Sequence, residues 1–140
     1  MFERVRFARY ALRFELAFRN DDWRPVRACF HPDARYVIAG TGSEFDGETR
    51  GADAIMQLFQ RMLDRYDRKF DRRRPRLAGF PRVRAGELDL PWAVRYTLRG
   101  ESLVLTGRTQ CRFSGGQILE LRDTMLPDEC ARWFAMAARA

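Results

Sequence analysis

Apolar positions change their period along the chain, and each change marks an element. Phe7, Ala11, Phe14 and Phe18 recur at helical spacing, with Tyr10 and Ala17 beside them, while Arg6, Arg9, Arg13 and Arg19 lie mostly off that stripe. A helix over 7–20 is predicted. Asn20, Asp21 and Asp22 break it and offer capping side chains to a short second helix over 23–30, with Pro25 in its first turn. Val26, Cys29 and Phe30 form its buried side. His31-Pro32-Asp33 reads as a turn, and 34–39 as a strand rich in β-formers (Tyr36, Val37, Ile38). Glycines 40, 42 and 47 mark a loop. Ile55, Leu58, Phe59, Met62 and Tyr66 then stripe a third helix over 52–67, with Asp53 suiting the dipole of its first turn.

The period drops to two in the second half. Residues 69–84 are extended and basic, and Pro75 and Pro81 confine them to a sheet edge or an irregular segment. Trp92, Val94, Tyr96 and Leu98 alternate with Ala93, Arg95, Thr97 and Arg99. Leu103, Leu105, Gly107, Thr109, Cys111 and Phe113 alternate with a polar set in the next strand. Gly100-Glu101 and Ser114-Gly115-Gly116 are hairpin turns. In the last strand Leu119, Leu121, Asp123 and Met125 share one face, and Ile118, Glu120, Arg122 and Thr124 the other. A terminal helix over 128–138 carries Cys130, Trp133, Phe134 and Ala137 on one side. This order predicts a single α+β domain spanning 1–140, with helices on one face of a curved, mostly antiparallel sheet.

That pattern sets Asp123 on an apolar strand face. Burying an unpaired charge costs several kcal/mol, so such a carboxyl is paired, protonated or lining a cavity. The last two make Asp123 a candidate catalytic acid, its pKa raised by apolar walls. The alternatives are an ion pair, with Arg95 as one partner, or a strand-end carboxylate in water. The alternation turns Arg95 away from the face of Trp92, Val94 and Tyr96.

Composition adds limits. The net charge is +7, almost all from arginine, spread along the whole chain. The three cysteines are far apart, and His31 is the only histidine, so neither a disulfide framework nor a structural zinc site is expected. No apolar run approaches the ~20 residues of a membrane span, and the N-terminus shows no secretory signal, so a cytoplasmic protein is expected. No P-loop, dinucleotide fingerprint or Ser-His-Asp set occurs, and no cofactor is expected. The basic run 69–76 reads as a solvated edge that discourages strand-to-strand pairing, with nucleic-acid contact the weakest of the functional readings.

The element order, with the segments 17–23 (Ala-Phe-Arg-Asn-Asp-Asp-Trp), 29–36 (Cys-Phe-His-Pro-Asp-Ala-Arg-Tyr) and 50–55 (Arg-Gly-Ala-Asp-Ala-Ile), resembles the nuclear-transport-factor-two-like superfamily, most closely its SnoaL-like branch. The resemblance covers about 7–125. It implies a cone-shaped barrel in which the sheet wraps the long N-terminal helix, a pocket at the open end, and homodimerisation through the outer sheet face; the C-terminal helix is less typical of the family, and a cap over the pocket is the role open to it. Ketosteroid isomerases of this superfamily use a tyrosine, an aspartate base and a protonated acid at the places of Phe14, Ile38 and Thr109, so their mechanism does not transfer. Epoxide-hydrolase relatives carry an Arg-Asp step like Arg122-Asp123 and a tyrosine like Tyr36, but their companion amide and second acid fall at Ile38 and Thr97. Polyketide-cyclase relatives use one acid in a hydrophobic pocket, which matches most closely. The expectation is a small hydrophobic or aromatic ligand bound by Phe14, Tyr36, Ile38, Trp92 and Tyr96, with Asp123 transferring a proton in an isomerase, cyclase or hydrolase. A non-catalytic ligand-binding or protein-interaction module is the alternative.

Overall fold

The computed structural model describes residues 2–140. The elements are α1 (Phe2–Asn20), α2 (Arg24–Arg27), β1 (Phe30–Ala39), β2 (Gly47–Arg50), α3 (Ala52–Arg65), a short turn of helix (Asp67–Lys69), β3 (Arg72–Leu77), β4 (Arg82–Arg84), β5 (Glu87–Leu98), β6 (Glu101–Ser114), β7 (Gln117–Met125) and α4 (Pro127–Ala137). The strands form one seven-stranded sheet ordered β2-β1-β7-β6-β5-β3, with β4 also pairing β5. All pairings are antiparallel except β1 with β7, which brings the first long strand beside the last. This is the α+β architecture that the apolar periods predict.

The helices fill the concave side. Phe14 of α1 meets Trp23 and Phe59 edge to face at 5.5 and 5.2 Å, and Tyr10 meets Phe30 at 5.4 Å. Tyr36 of β1 packs on Phe59 of α3 at 5.2 Å. Gly51 leads into α3 with φ of 93°, a left-handed backbone that suits glycine, and its N–H bonds the Ala34 carbonyl at 2.8 Å. No helix among the described residues is long and apolar enough to cross a membrane.

Three boundaries depart from the sequence pattern. The second helix is a single turn, because Phe30 already belongs to β1. His31-Pro32-Asp33 is not a free turn but a bulged stretch of that strand, where the pairing with β7 shifts between Phe30 and Arg35. The third departure reaches the site. Phe113 pairs with Ile118, yet Arg112 pairs with Glu120, so Leu119 is an extra residue in β7. Ile118 is fully buried and Leu119 is 38% exposed, the reverse of strict alternation. Beyond the bulge, Leu121, Asp123 and Met125 face inward as the pattern predicts.

The outer sheet face is polar. Arg35 bridges Glu48 and Glu120, Arg108 meets Asp89, and Arg112 meets Glu87. Arg95 lies on this exposed side. The basic segment forms the edge strands β3 and β4, with Arg72, Arg74 and Arg76 exposed. Arg73 is the exception: its side chain turns inward and is only 12% exposed.

Candidate active site

The bulge at Leu119 sets up the site. Ser114 pairs with Gln117 at the β6–β7 turn, and continued without the extra residue that register would set Arg108 opposite Asp123. Instead Thr109 lies opposite Asp123, and Ile38 of β1 flanks it on the other side. Asp123 therefore faces inward between two strands, with an alcohol in place of a cation beside it.

Both carboxyl oxygens are held by hydroxyls. Thr109 Oγ1 donates to Oδ1 at 2.6 Å and Tyr36 Oη donates to Oδ2 at 2.6 Å. Trp92 Nε1 in turn donates to Thr109 Oγ1 at 2.9 Å. Trp92 reaches Thr109 because β6 carries a glycine below its ring: a Cβ at Gly107 would lie 2.2 Å from Trp92 Cζ2. Among the described residues no arginine or lysine pairs with Asp123. Burial pushes its pKa above the ordinary carboxylate range, and the bonds from Thr109 and Tyr36 offset only part of that. Burial, with the Asp123 charge adding to it, holds Tyr36 well above the usual phenol range, so its hydroxyl stays a donor. A carboxylate has about four lone-pair positions, and two are used, so Asp123 retains acceptor capacity.

Asp123 lies on the wall of a cavity of about 350 Å³. Phe14, Tyr36, Trp92 and Tyr96 line it too, so five of the six residues expected from the sequence meet around one space. Ile38 is buried and does not line the cavity. The volume is at the small end of ligand pockets, suited to a one- or two-ring compound.

Two features escape the sequence pattern. Tyr10 lines the same cavity, and its hydroxyl has no hydrogen-bonding partner among the described residues. Burial raises its pKa well above the usual range, with the Asp123 charge contributing, so it is a free donor on the same wall system. Its place beside the α1 stripe reads only as core. The second is a polar cluster of Glu15, Asp67, Arg73 and Tyr96, also on the cavity wall. Arg73 Nη1 bonds Glu15 at 2.6 and 2.9 Å, Arg73 Nε bonds Asp67 Oδ2 at 2.9 Å, and Tyr96 Oη donates to that oxygen at 2.7 Å. The single arginine that breaks the solvated-edge pattern was the available signal. Proline-interrupted charge hides which residue turns inward.

Residues 11–125 match the family of SnoaL-like domains. The chain belongs to the SnoaL-like family. No curated protein sequence matches it. Among solved structures, this SnoaL-like domain is similar to an NTF2-like protein of unknown function from Burkholderia pseudomallei, with 20% identity over 92% of this chain and 97% of that one and a TM-score of 0.70. It is similar to TerC, co-crystallised with polyporic acid, with 16% identity over 90% and 95% of the two chains and a TM-score of 0.68. It is also similar to an LEH-like epoxide hydrolase from M. tuberculosis, with 15% identity over 97% and 94% of the two chains and a TM-score of 0.65. At these identities the likeness establishes the fold, a cone of the same kind, and leaves the chemistry to the residues.

Aromatic rings from α4 close one side of the SnoaL-like cavity. Trp133 packs on Tyr66 at 5.0 Å and on Tyr96 at 5.3 Å, and Phe134 lies on Tyr66 at 4.8 Å. The sequence places these two residues on the apolar side of the last helix, and both line the cavity.

Proposed function

We propose that this SnoaL-like domain binds a small apolar or aromatic carbonyl compound in the cone and that Asp123 transfers a proton on it. The observation that carries the reading is the pairing of Asp123 with two hydroxyl donors and no cation, on the wall of a ligand-sized cavity. An ion-paired carboxylate holds its charge and is a weak base; a desolvated one with a raised pKa takes and returns a proton near neutral pH.

The step uses the chain's own side chains. The Asp123 carboxylate takes the proton from the carbon beside the ligand's carbonyl, and the electron pair of the broken C–H bond moves onto the carbonyl oxygen. The free Tyr10 hydroxyl donates to that enolate oxygen, and Asp123, now a neutral acid, returns the proton to the same or another carbon. Return of the proton to another carbon conjugated with the enolate gives isomerisation. Where the enolate carbon instead attacks a second carbonyl of the same ligand, the ring C–C bond forms, that carbonyl's π pair moves to its oxygen, and Asp123 returns the proton to the resulting alkoxide. A two-acid relay is not supported, since Ile38 is apolar and Thr97 bonds Ser102 away from the cavity. The names of similar structures fit this chemistry, including a putative polyketide cyclase from Xanthomonas campestris pv. campestris. Homodimerisation through the outer sheet face remains part of the proposal, with the ion-paired surface making any such interface a polar one.

The test is hydrogen–deuterium exchange beside the carbonyl of β-tetralone in deuterium oxide. Wild type accelerates exchange, and Asp123→Asn lowers that rate by about 100-fold or more. Equal rates in the two proteins remove Asp123 as the proton-transfer group. Saturable β-tetralone binding without exchange in wild type points instead to a non-catalytic ligand-binding module.

A further inference from the structure

Helix α1 has two apolar sides. At about 100° per residue, Phe7, Tyr10, Phe14 and Ala17 fall on one side, which packs into the cone. Phe2, Val5, Leu12 and Leu16 fall within about 80° of arc on the other. All four are exposed, Leu12 at 65% and Leu16 at 49%. Arginines frame this outer stripe: Arg6 and Arg13 run along one border, Arg4 and Arg19 along the other, and Arg9 lies within it. The acidic residues of the helix are Glu3, beside Arg6, and Glu15, which is tied to Arg73. Arg4, Arg9, Arg13 and Arg19 have no carboxylate partner among the described residues.

The basic edge of the sheet continues this surface. Arg4 Nε donates to the Pro81 carbonyl at 3.1 Å, and its guanidinium lies 5.2 Å from the ring centre of Phe80, which is exposed. Leu77 is exposed there too, and Arg72, Arg74, Arg76, Arg82 and Arg84 are exposed without a carboxylate partner among the described residues. On the outer sheet face, by contrast, Arg35, Arg108 and Arg112 all meet carboxylates. Unbalanced positive charge and exposed apolar side chains therefore occur together on the α1 side.

That combination limits the partner. A second copy would set these arginines against their own kind. A nucleic acid would neutralise them but leave Val5, Leu12 and Leu16 facing phosphates, with no apolar surface removed from water. An anionic lipid surface answers both features: the arginines meet headgroup phosphates, and the stripe enters the boundary of the acyl chains. We infer that α1 docks this protein on an anionic lipid surface, lying along it with Val5, Leu12 and Leu16 inserted. The contact is peripheral, since no helix among the described residues is long and apolar enough to cross a membrane. It stands apart from the chemistry at Asp123.

The test is co-sedimentation with lipid vesicles at low salt. Wild type binds vesicles made of equal parts phosphatidylcholine and phosphatidylglycerol, and binds phosphatidylcholine alone at least about tenfold more weakly. The double variant Leu12→Ser/Leu16→Ser loses affinity for the mixed vesicles by about tenfold or more, with the melting temperature of wild type because both positions are exposed. Leu119→Ser, exposed on β7, binds as wild type does. Arg9→Gln/Arg19→Gln binds more weakly and depends less steeply on salt. Wild type that fails to sediment with the mixed vesicles overturns the inference; self-association through α1, or binding of single-stranded RNA in its place, then names the other occupant. Equal binding to the two kinds of vesicle overturns it as well. So does unchanged binding by Leu12→Ser/Leu16→Ser, which leaves charge attraction without insertion.

Discussion

The Tyr36 hydroxyl donates a 2.6 Å hydrogen bond to Oδ2 of Asp123, the oxygen that Thr109 leaves free. This bond favours the charged carboxylate, while burial favours the neutral acid, and burial is the larger of the two. Tyr36→Phe keeps the ring on Phe59 and removes the donor. It raises the Asp123 pKa further, because a hydrogen bond that favours the charged carboxylate is lost. The acid limb of the pH profile for β-tetralone exchange moves upward accordingly. An unchanged limb means that the Tyr36 bond does not tune the carboxyl.

The same shift has a signature in stability. A carboxyl whose pKa is higher in the folded than in the unfolded state stabilises the fold fully at pH below the unfolded value, about 4, and loses that contribution as pH rises through the folded value. The unfolding free energy of wild type relative to Asp123→Asn therefore falls as pH rises across that window, by at most about 1.4 kcal/mol per pH unit, and is flat on either side. Denaturant melts of both proteins from acid to neutral pH measure it. A difference that grows in favour of wild type with rising pH indicates a lowered pKa and contradicts the account.

The bulge in β7 predicts an inversion of mutational cost. Ile118→Ala removes a fully buried side chain and costs about 2–5 kcal/mol, whereas Leu119→Ala, on the exposed extra residue, stays within about 0.5 kcal/mol. Chemical denaturation of the two variants decides between this register and simple alternation, which ranks them the other way.

Gly107 positions Trp92 by having no side chain. In Gly107→Ala the new methyl overlaps the indole, which has to leave its place over β6 and release Thr109. The expected result is a loss of about 1–3 kcal/mol in stability and weaker binding of β-tetralone, read by calorimetry. Unchanged affinity shows that Trp92 does not shape the cavity.

Much of this architecture is legible in the sequence. The helical stripe of α1, the alternating strands β5 and β6, and the inward place of Asp123 all follow from the spacing of apolar residues. The family resemblance adds that this face lines a cone. The companions of Asp123 are harder to read because they depend on register. Thr109 stands opposite Asp123 only because Leu119 is an extra residue, and nothing in the alternation of 117–125 marks it as one. Arg73 is hidden differently. It lies in a row of arginines that are alike in composition, and only the alternation of an edge strand that also contains Pro75 selects it for the interior. Tyr10 reads as core because an aromatic ring on a helix stripe usually is; its unpartnered hydroxyl is a tertiary property.

The central claim is that the surroundings of Asp123 keep its proton affinity high while leaving it open to a ligand. Titration of the Asp123 side-chain carboxyl by carbon NMR, in protein labelled at Cγ and assigned by comparison with Asp123→Asn, tests it most directly. The account predicts an inflection clearly above the ordinary aspartate value, moving again when β-tetralone fills the cavity. An inflection at or below the ordinary value, unaffected by ligand, contradicts it.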